Sequence, residues 1–324
     1  MNQKKRIYII YTGGTIGMQE TPEGYKPYPG LLTKLLESMP ELKHKDSPTY
    51  TLHEYDPLID SADATPTLWT TIGKDIMDHY AAYDGFIVLH GTDTMAYTAS
   101  ALSFMFEHLS KPIIVTGSQV PMANFTTDAR ENVINALYIA SHYNIPEVCL
   151  LFNNKLLRGN RAKKISATSY TAFESPNFVP LGEVASTIKI RQKKLLPPAT
   201  ANTRLQKIHP VTIGSISLFP GMSLKFIRSL LNKPLQALVI ETYGSGNAPA
   251  DNELHRILQQ ANAQDIIVVN CTQCLHGRVK MQSYATGNAL IDAGVISAND
   301  MTIEATICKL YYLFSCQLAK SKSS

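Results

Sequence analysis

The sequence predicts an α/β protein of two domains, and three observations carry the prediction. Short, continuously apolar runs rich in β-branched residues alternate with longer stretches of helical period. The alternation breaks once, near residue 191, and then resumes. The length of 324 residues is enough for about two domains of ordinary size.

In the first domain, residues 1–190, apolar runs predict strands at 7–11, 51–55, 85–89, 112–116 and 147–151. Helical stretches lie near 67–80, 94–106 and 128–142. Strands that are apolar throughout and bounded by turns belong to a parallel sheet covered on both faces, joined by right-handed crossovers. Residues 191–212 carry Lys193, Lys194, Pro197 and Pro198 in a polar stretch and read as an exposed linker. The second domain, 213–324, starts from a run at 209–218 and repeats the alternation. Its helices are expected near 224–231 and 251–262, its further strands at 237–241 and 266–270, and a closing helix near 301–317.

Composition excludes several classes of function. A net charge of +4 is small and spread along the chain, without the basic, aromatic-studded patch that nucleic acid requires. No run approaches the roughly 20 apolar residues of a membrane helix. The apolar residues 7–10 are too few for a signal-peptide core and meet Gly13 and Gly14 at once, so the expectation is a cytoplasmic protein. Five cysteines (Cys149, Cys271, Cys274, Cys308 and Cys316) suit a reducing compartment. Cys271 and Cys274 have metal or redox spacing, but a structural zinc site wants four ligands and no second such pair exists. They read as half-buried thiols after a strand.

Two segments carry chemistry. YTGGTIG at 11–17 follows the first strand, and ligands of open α/β sheets bind at the carboxyl ends of strands. It is not a dinucleotide fingerprint. Thr12 replaces the first glycine, and Pro22, Gly24, Pro27, Pro29 and Gly30 describe a mobile loop where a helix should open. What remains is two hydroxyls, Thr12 and Thr15, on a backbone open to close approach. HGTDTM at 90–95 follows the third strand. There Asp93 or Thr94 suits a helix N-cap, and the helix terminus offers N–H donors to a developing oxyanion.

These two segments resemble the signature sequences of the bacterial-type L-asparaginases. IDS at 59–61 resembles that family's substrate-binding segment, RGNR at 158–161 followed by Lys164 the stretch ending in its catalytic lysine, and YATGNAL at 284–290 the C-terminal domain of its cytoplasmic, type I branch. The likeness runs through essentially the whole chain in order and spacing. It implies an asparaginase-like fold: a larger N-terminal domain with a parallel or mixed sheet and a smaller Rossmann-like α/β domain.

The resemblance further implies hydrolysis of L-asparagine without metal or organic cofactor, with Thr15 as nucleophile and Tyr25 closing over it. Thr92, Asp93 and Lys164 form a second catalytic group, while Asp60, Ser61, Thr92 and Asp93 hold the substrate. Spacing favours Lys164 over Lys163 and Tyr25 over Tyr28 in these roles. Asn247, in GSGNAP at 244–249, is expected to reach a neighbouring subunit's site, hence a homodimer or homotetramer. Type I members can carry a second, regulatory asparagine site. Glu241, standing where a basic residue is expected, argues against one here, because an acidic group repels a ligand carboxylate.

Three rivals are weaker. An amidotransferase subunit that feeds ammonia to a tRNA-bound amino acid carries an added N-terminal domain, for which the start of the first signature at Thr12 leaves no room. A non-hydrolytic asparagine sensor is expected to lose the nucleophile. A nicotinamide enzyme fails on the fingerprint.

Overall fold

The computed structural model describes residues 4–231, 234–283 and 285–321. The chain divides into two compact units, Met1–Ile208 and His209–Ser324.

The first unit is built on an eight-stranded sheet. In spatial order the strands are Ile188–Ile190, Gly182–Val184, Lys155–Arg158, Val148–Phe152, Ile113–Thr116, Gly85–Leu89, Arg6–Tyr11 and Thr49–Glu54. The five from Val148–Phe152 onward are parallel, and the first three add antiparallel pairings. The sheet is therefore mixed. Its reversal follows from Asn153 and Asn154, a two-residue turn with φ of 44° and 64°. Such a turn folds a strand back beside its predecessor, whereas a parallel neighbour needs a long crossover.

Residues 7–11 and 85–89 are buried without interruption, as central strands covered on both faces must be. One face packs on helix Ala129–His142 through Val133, Ala136, Leu137 and Ala140, joining Ile7, Ile9, Ile87, Leu89 and Ile114 in one cluster. Helix Met95–Met105 is buried on nearly all sides, which suits its run of Ala, Ser and Thr between larger apolar residues.

The strand order places the site. From Arg6–Tyr11 the chain crosses to Thr49–Glu54 on one side, then returns to Gly85–Leu89 on the other. That makes a topological switch point between Arg6–Tyr11 and Gly85–Leu89, the position at whose carboxyl ends open α/β sheets bind their ligands. Tyr11 registers with Leu89, and Leu89 with Thr116, so three strand ends lie level.

The segment expected to be a loop after the first signature is ordered as a hairpin, Met18–Thr21 paired with Gly24–Pro27. Pro22 and Gly24 (φ 106°) make its turn, where the Thr21 hydroxyl donates to Gly24 O at 2.6 Å and accepts from Glu23 N at 3.3 Å. Pro and Gly density thus marked a tight turn rather than a break in structure.

The second unit has a four-stranded parallel sheet in the order Ile213–Ser217, Ala237–Thr242, Ile267–Thr272, Ile296–Ser297. Helices Leu224–Leu230, Asn252–Ala263, Ala285–Asp292 and Ile303–Ser321 alternate with it, the second capped by Asp251, whose side chain accepts from Glu253 N and Leu254 N. The fourth strand is too short to show a pattern in sequence. Tyr284 of the YATGNAL segment lies outside the described residues. Among the described residues no helix is long and apolar enough to cross a membrane.

Candidate active site

Three segments meet at the switch point, and glycine lets them meet. A Cβ on Gly13 (φ 126°) would stand 2.1 Å from Ile59 O, and one on Gly14 (φ 91°) 2.4 Å from Gly91 Cα. One on Gly91 would stand 2.5 Å from Ser61 Oγ. Backbone hydrogen bonds lock the same contacts: Ile59 N donates to Thr12 O at 2.7 Å and Thr12 N to Leu89 O at 3.0 Å. The segments 11–17, 59–61 and 90–94, far apart in sequence, form one backbone-to-backbone cup.

Within the first segment the two hydroxyls part company. Thr12 is 2% exposed and its hydroxyl donates to Leu89 O at 3.1 Å, so it is a structural tie. Thr15 opens the short 3₁₀ turn Thr15–Gly17 and is the one residue of 11–18 that is not fully buried. Tyr11 supports this turn from below, its hydroxyl donating to Gly14 O at 3.3 Å. Burial pushes the Tyr11 phenol far above its ordinary range, so it stays neutral beneath the turn. The strand Gly24–Pro27, carrying Tyr25, packs against the Thr15 turn. The phenol oxygen of Tyr25 accepts a hydrogen bond from Asn124 Nδ2 at 3.2 Å.

The second segment is wired to charge. Lys164 Nζ donates to Thr92 Oγ1 at 2.8 Å and to Asp93 Oδ1 at 2.6 Å. The Thr92 hydroxyl in turn donates to Gln119 Oε1 at 3.2 Å, and Gln119 Nε2 donates to Ser169 O at 3.1 Å. A single directed chain therefore runs from ammonium to hydroxyl to amide. Lys164 sits on the two-residue strand Lys163–Lys164, paired with Phe173–Glu174. Of the two adjacent lysines, Lys164 is the one that joins Thr92 and Asp93.

Thr94 takes the N-cap position of helix Met95–Met105, but its side chain makes no capping hydrogen bond. Its hydroxyl donates instead to Ser61 O at 2.6 Å, because the approach of 59–61 brings that carbonyl within reach. Asp60 caps its own short turn, accepting from Ala62 N at 3.0 Å, while Ser61 is buried against Gly91. His90 is fully enclosed. Its Nδ1 faces Gly91 O at 2.7 Å and its Nε2 the Thr98 hydroxyl at 3.0 Å. Since a carbonyl only accepts, the proton sits on Nδ1 and Thr98 donates to Nε2. Burial holds this imidazole below its usual pKa, against the opposing effect of the Gly91 carbonyl, and keeps it neutral.

A family model described as asparaginase, N-terminal, matches residues 6–196, and one described as glutaminase/asparaginase C-terminal domain matches 212–323. The chain belongs to the asparaginase family. The Escherichia coli (strain K12) protein named L-asparaginase 1 is 52% identical over 319 residues, covering 98% of this chain and 94% of that one. The crystal structure of L-asparaginase I from Vibrio cholerae superposes with a TM-score of 0.90 at 48% identity, over 97% of this chain and 93% of that one. The thermostable L-asparaginase from Thermococcus kodakarensis gives 0.87 at 30% identity, over 96% and 93%. The type I resemblance and the two-domain asparaginase fold read from the sequence both stand on these matches.

The cup has a fourth wall that lies outside the signature motifs. The loop after strand Ile113–Thr116 brings Gln119 to Thr92 and Asn124 to Tyr25, and its Met122 N donates to Ile16 O at 3.0 Å. A signal existed: the loop follows a fully apolar strand, the position that had singled out the other two segments. In the second unit, Asn247 closes a tight turn in which Tyr243 N donates to Asn247 O at 2.9 Å and Asn247 N to Tyr243 O at 2.8 Å. Glu241 accepts from the Ser217 hydroxyl in a short hydrogen bond. Cys271 is buried and Cys274 exposed, and no cluster of metal-ligating side chains occurs among the described residues.

Proposed function

We propose that this chain is an L-asparaginase that hydrolyses L-asparagine to L-aspartate and ammonia through an acyl intermediate on Thr15. The observation that carries the reading is the Lys164–Thr92–Asp93 cluster in the same glycine-lined cup as the partly exposed Thr15. The names and extent of the relatives support the same activity.

A threonine hydroxyl is a weak nucleophile until a neighbour accepts its proton. Tyr25, on the strand packed against the Thr15 turn, takes that part as its phenolate, and returns the proton to the leaving ammonia. Thr15 Oγ attacks the side-chain amide carbon, and donors at the Thr92 turn receive the negative charge that gathers on the oxygen. Ammonia leaves with the proton returned to it. Water, positioned by Thr92 and Asp93 with Lys164 behind them, then attacks the ester and releases aspartate. Asp60, Ser61 and Asp93 hold the ammonium and carboxylate of the amino acid. No metal or organic cofactor enters the reaction.

Asn247 completes the site of a second copy, so the working form is a homodimer or homotetramer with a closed symmetry. We place the enzyme in the cytoplasm. Glutamine is one methylene longer, a difference a pocket discriminates by only ~1–3 kcal/mol. The test is ammonia release from asparagine and glutamine by wild type and Thr15→Ala. Release from asparagine that vanishes in the variant is expected; no release by a folded wild type would sink the proposal.

A further inference from the structure

We propose that Asn124 is a positioning residue for Tyr25, fixing the phenol oxygen through its side-chain amide so that this oxygen, as phenolate, is held ready to take the Thr15 proton. This rests on the roles of Thr15 and Tyr25 given above. The need for such a residue follows from the hairpin. It is rooted at Met18, which is buried, and by Tyr28 N donating to Gly17 O at 3.4 Å. Beyond that root, the strand residues Gln19, Glu20, Gly24, Tyr25 and Lys26 are all exposed. Tyr25 itself is 47% exposed, so burial alone does not fix its ring.

Asn124, by contrast, belongs to a loop tied down along its length. Its backbone N donates to Pro121 O at 3.0 Å, and Met122 N reaches Ile16 O, next to Thr15, at 3.0 Å. The Asp128 carboxylate clamps the loop's start, accepting from Gln119 N at 3.0 Å, Val120 N at 3.1 Å and Asn132 Nδ2 at 3.3 Å. The Thr127 hydroxyl donates to Val120 O at 3.0 Å, and the Tyr170 hydroxyl to Thr126 O at 3.3 Å. A braced amide thus meets a free-standing phenol at 3.2 Å. The direction of the bond matters. An N–H that donates to the phenol oxygen occupies one lone pair, favours the phenolate form and leaves another lone pair for the Thr15 proton. The bond is strongest while that oxygen carries negative charge, before the proton arrives.

The experiment compares kcat, KM and melting temperature of the full-length protein as wild type, Asn124→Ala, Asn124→Asp, Tyr25→Phe and Tyr25→Phe with Asn124→Ala. Both single Asn124 variants are expected to lose about tenfold in kcat, the weight of one good hydrogen bond, with KM within about twofold and melting unchanged. Asp is isosteric but cannot donate when ionised, so a packing role would spare it. Phenylalanine lacks the acceptor, so adding Asn124→Ala to Tyr25→Phe is expected to cost nothing further. Wild-type kcat in Asn124→Asp, or an equal loss in the Tyr25→Phe background, overturns the proposal. Wild-type activity in Thr15→Ala would instead bring down the reading beneath it, so the two failures are told apart.

Discussion

The Thr15 turn and the Thr92 turn lie level at the ends of neighbouring strands, yet they present their hydroxyls differently. Thr15 is partly open, held on a Gly-Gly backbone at positive φ with a neutral tyrosine beneath it. Thr92 is 6% exposed and its hydroxyl is engaged on both sides, by Lys164 and by Gln119. An accessible hydroxyl suits attack on a substrate, whereas one committed to an ammonium and an amide suits the handling of charge and protons. On the proposed mechanism, the carboxyl end of one sheet would divide a double displacement between two threonines that local sequence makes look alike.

The sharpest way to break this comparison is to delete each hydroxyl. Thr15→Ala is expected to lower kcat by on the order of 10⁶-fold, as removal of a nucleophile does. Thr92→Val, which keeps the nucleophile, is expected to cost about 10²-fold, comparable with one lost oxyanion donor. Equal losses in steady-state ammonia release would mean the two act as an inseparable unit. Next comes Gly14→Ala, which forces both a positive φ and a clash with Gly91. It is expected to destabilise the fold by about 3 kcal/mol in urea unfolding; no loss would mean that the two turns can move apart.

Gln119→Leu removes the acceptor of the Thr92 hydroxyl and should lower kcat about tenfold while Tm stays near wild type. An unchanged kcat would show that the directed chain ends at Thr92. The smallest effect concerns His90. Its folded pKa is depressed, so below the unfolded value of about 6.5 the unfolded chain binds a proton that the folded chain refuses. Stability is therefore full above that pH and falls as pH drops toward 5. His90→Gln should flatten that part of the urea-midpoint profile, and a profile identical to wild type would contradict the buried, neutral assignment.

Much of the framework was legible because continuous apolar runs have one stable use in an α/β protein. The strand expected at 85–89 is Gly85–Leu89, and the helix expected near 128–142 is Ala129–His142. Irregular elements were not legible for the same reason: two asparagines that turn the sheet antiparallel, and a Pro/Gly stretch that closes as a hairpin, carry no periodic signal. Thr94 stands at the N-cap as expected, but its hydroxyl does not bond the helix, because a local propensity cannot know that a distant carbonyl will claim it.

By itself the sequence determined the alternation, the burial of the central strands and the two Gly-Thr turns at their ends, all set by contacts between near neighbours. Only the tertiary structure decided that Lys164 rather than Lys163 meets Thr92, 72 residues away, that Thr12 is a tie while Thr15 is open, and that Gln119 and Asn124 complete the wall. Crossover connections and sheet register set those distances, and periodicity along a chain holds no information about what a strand on the far side of a crossover will bring.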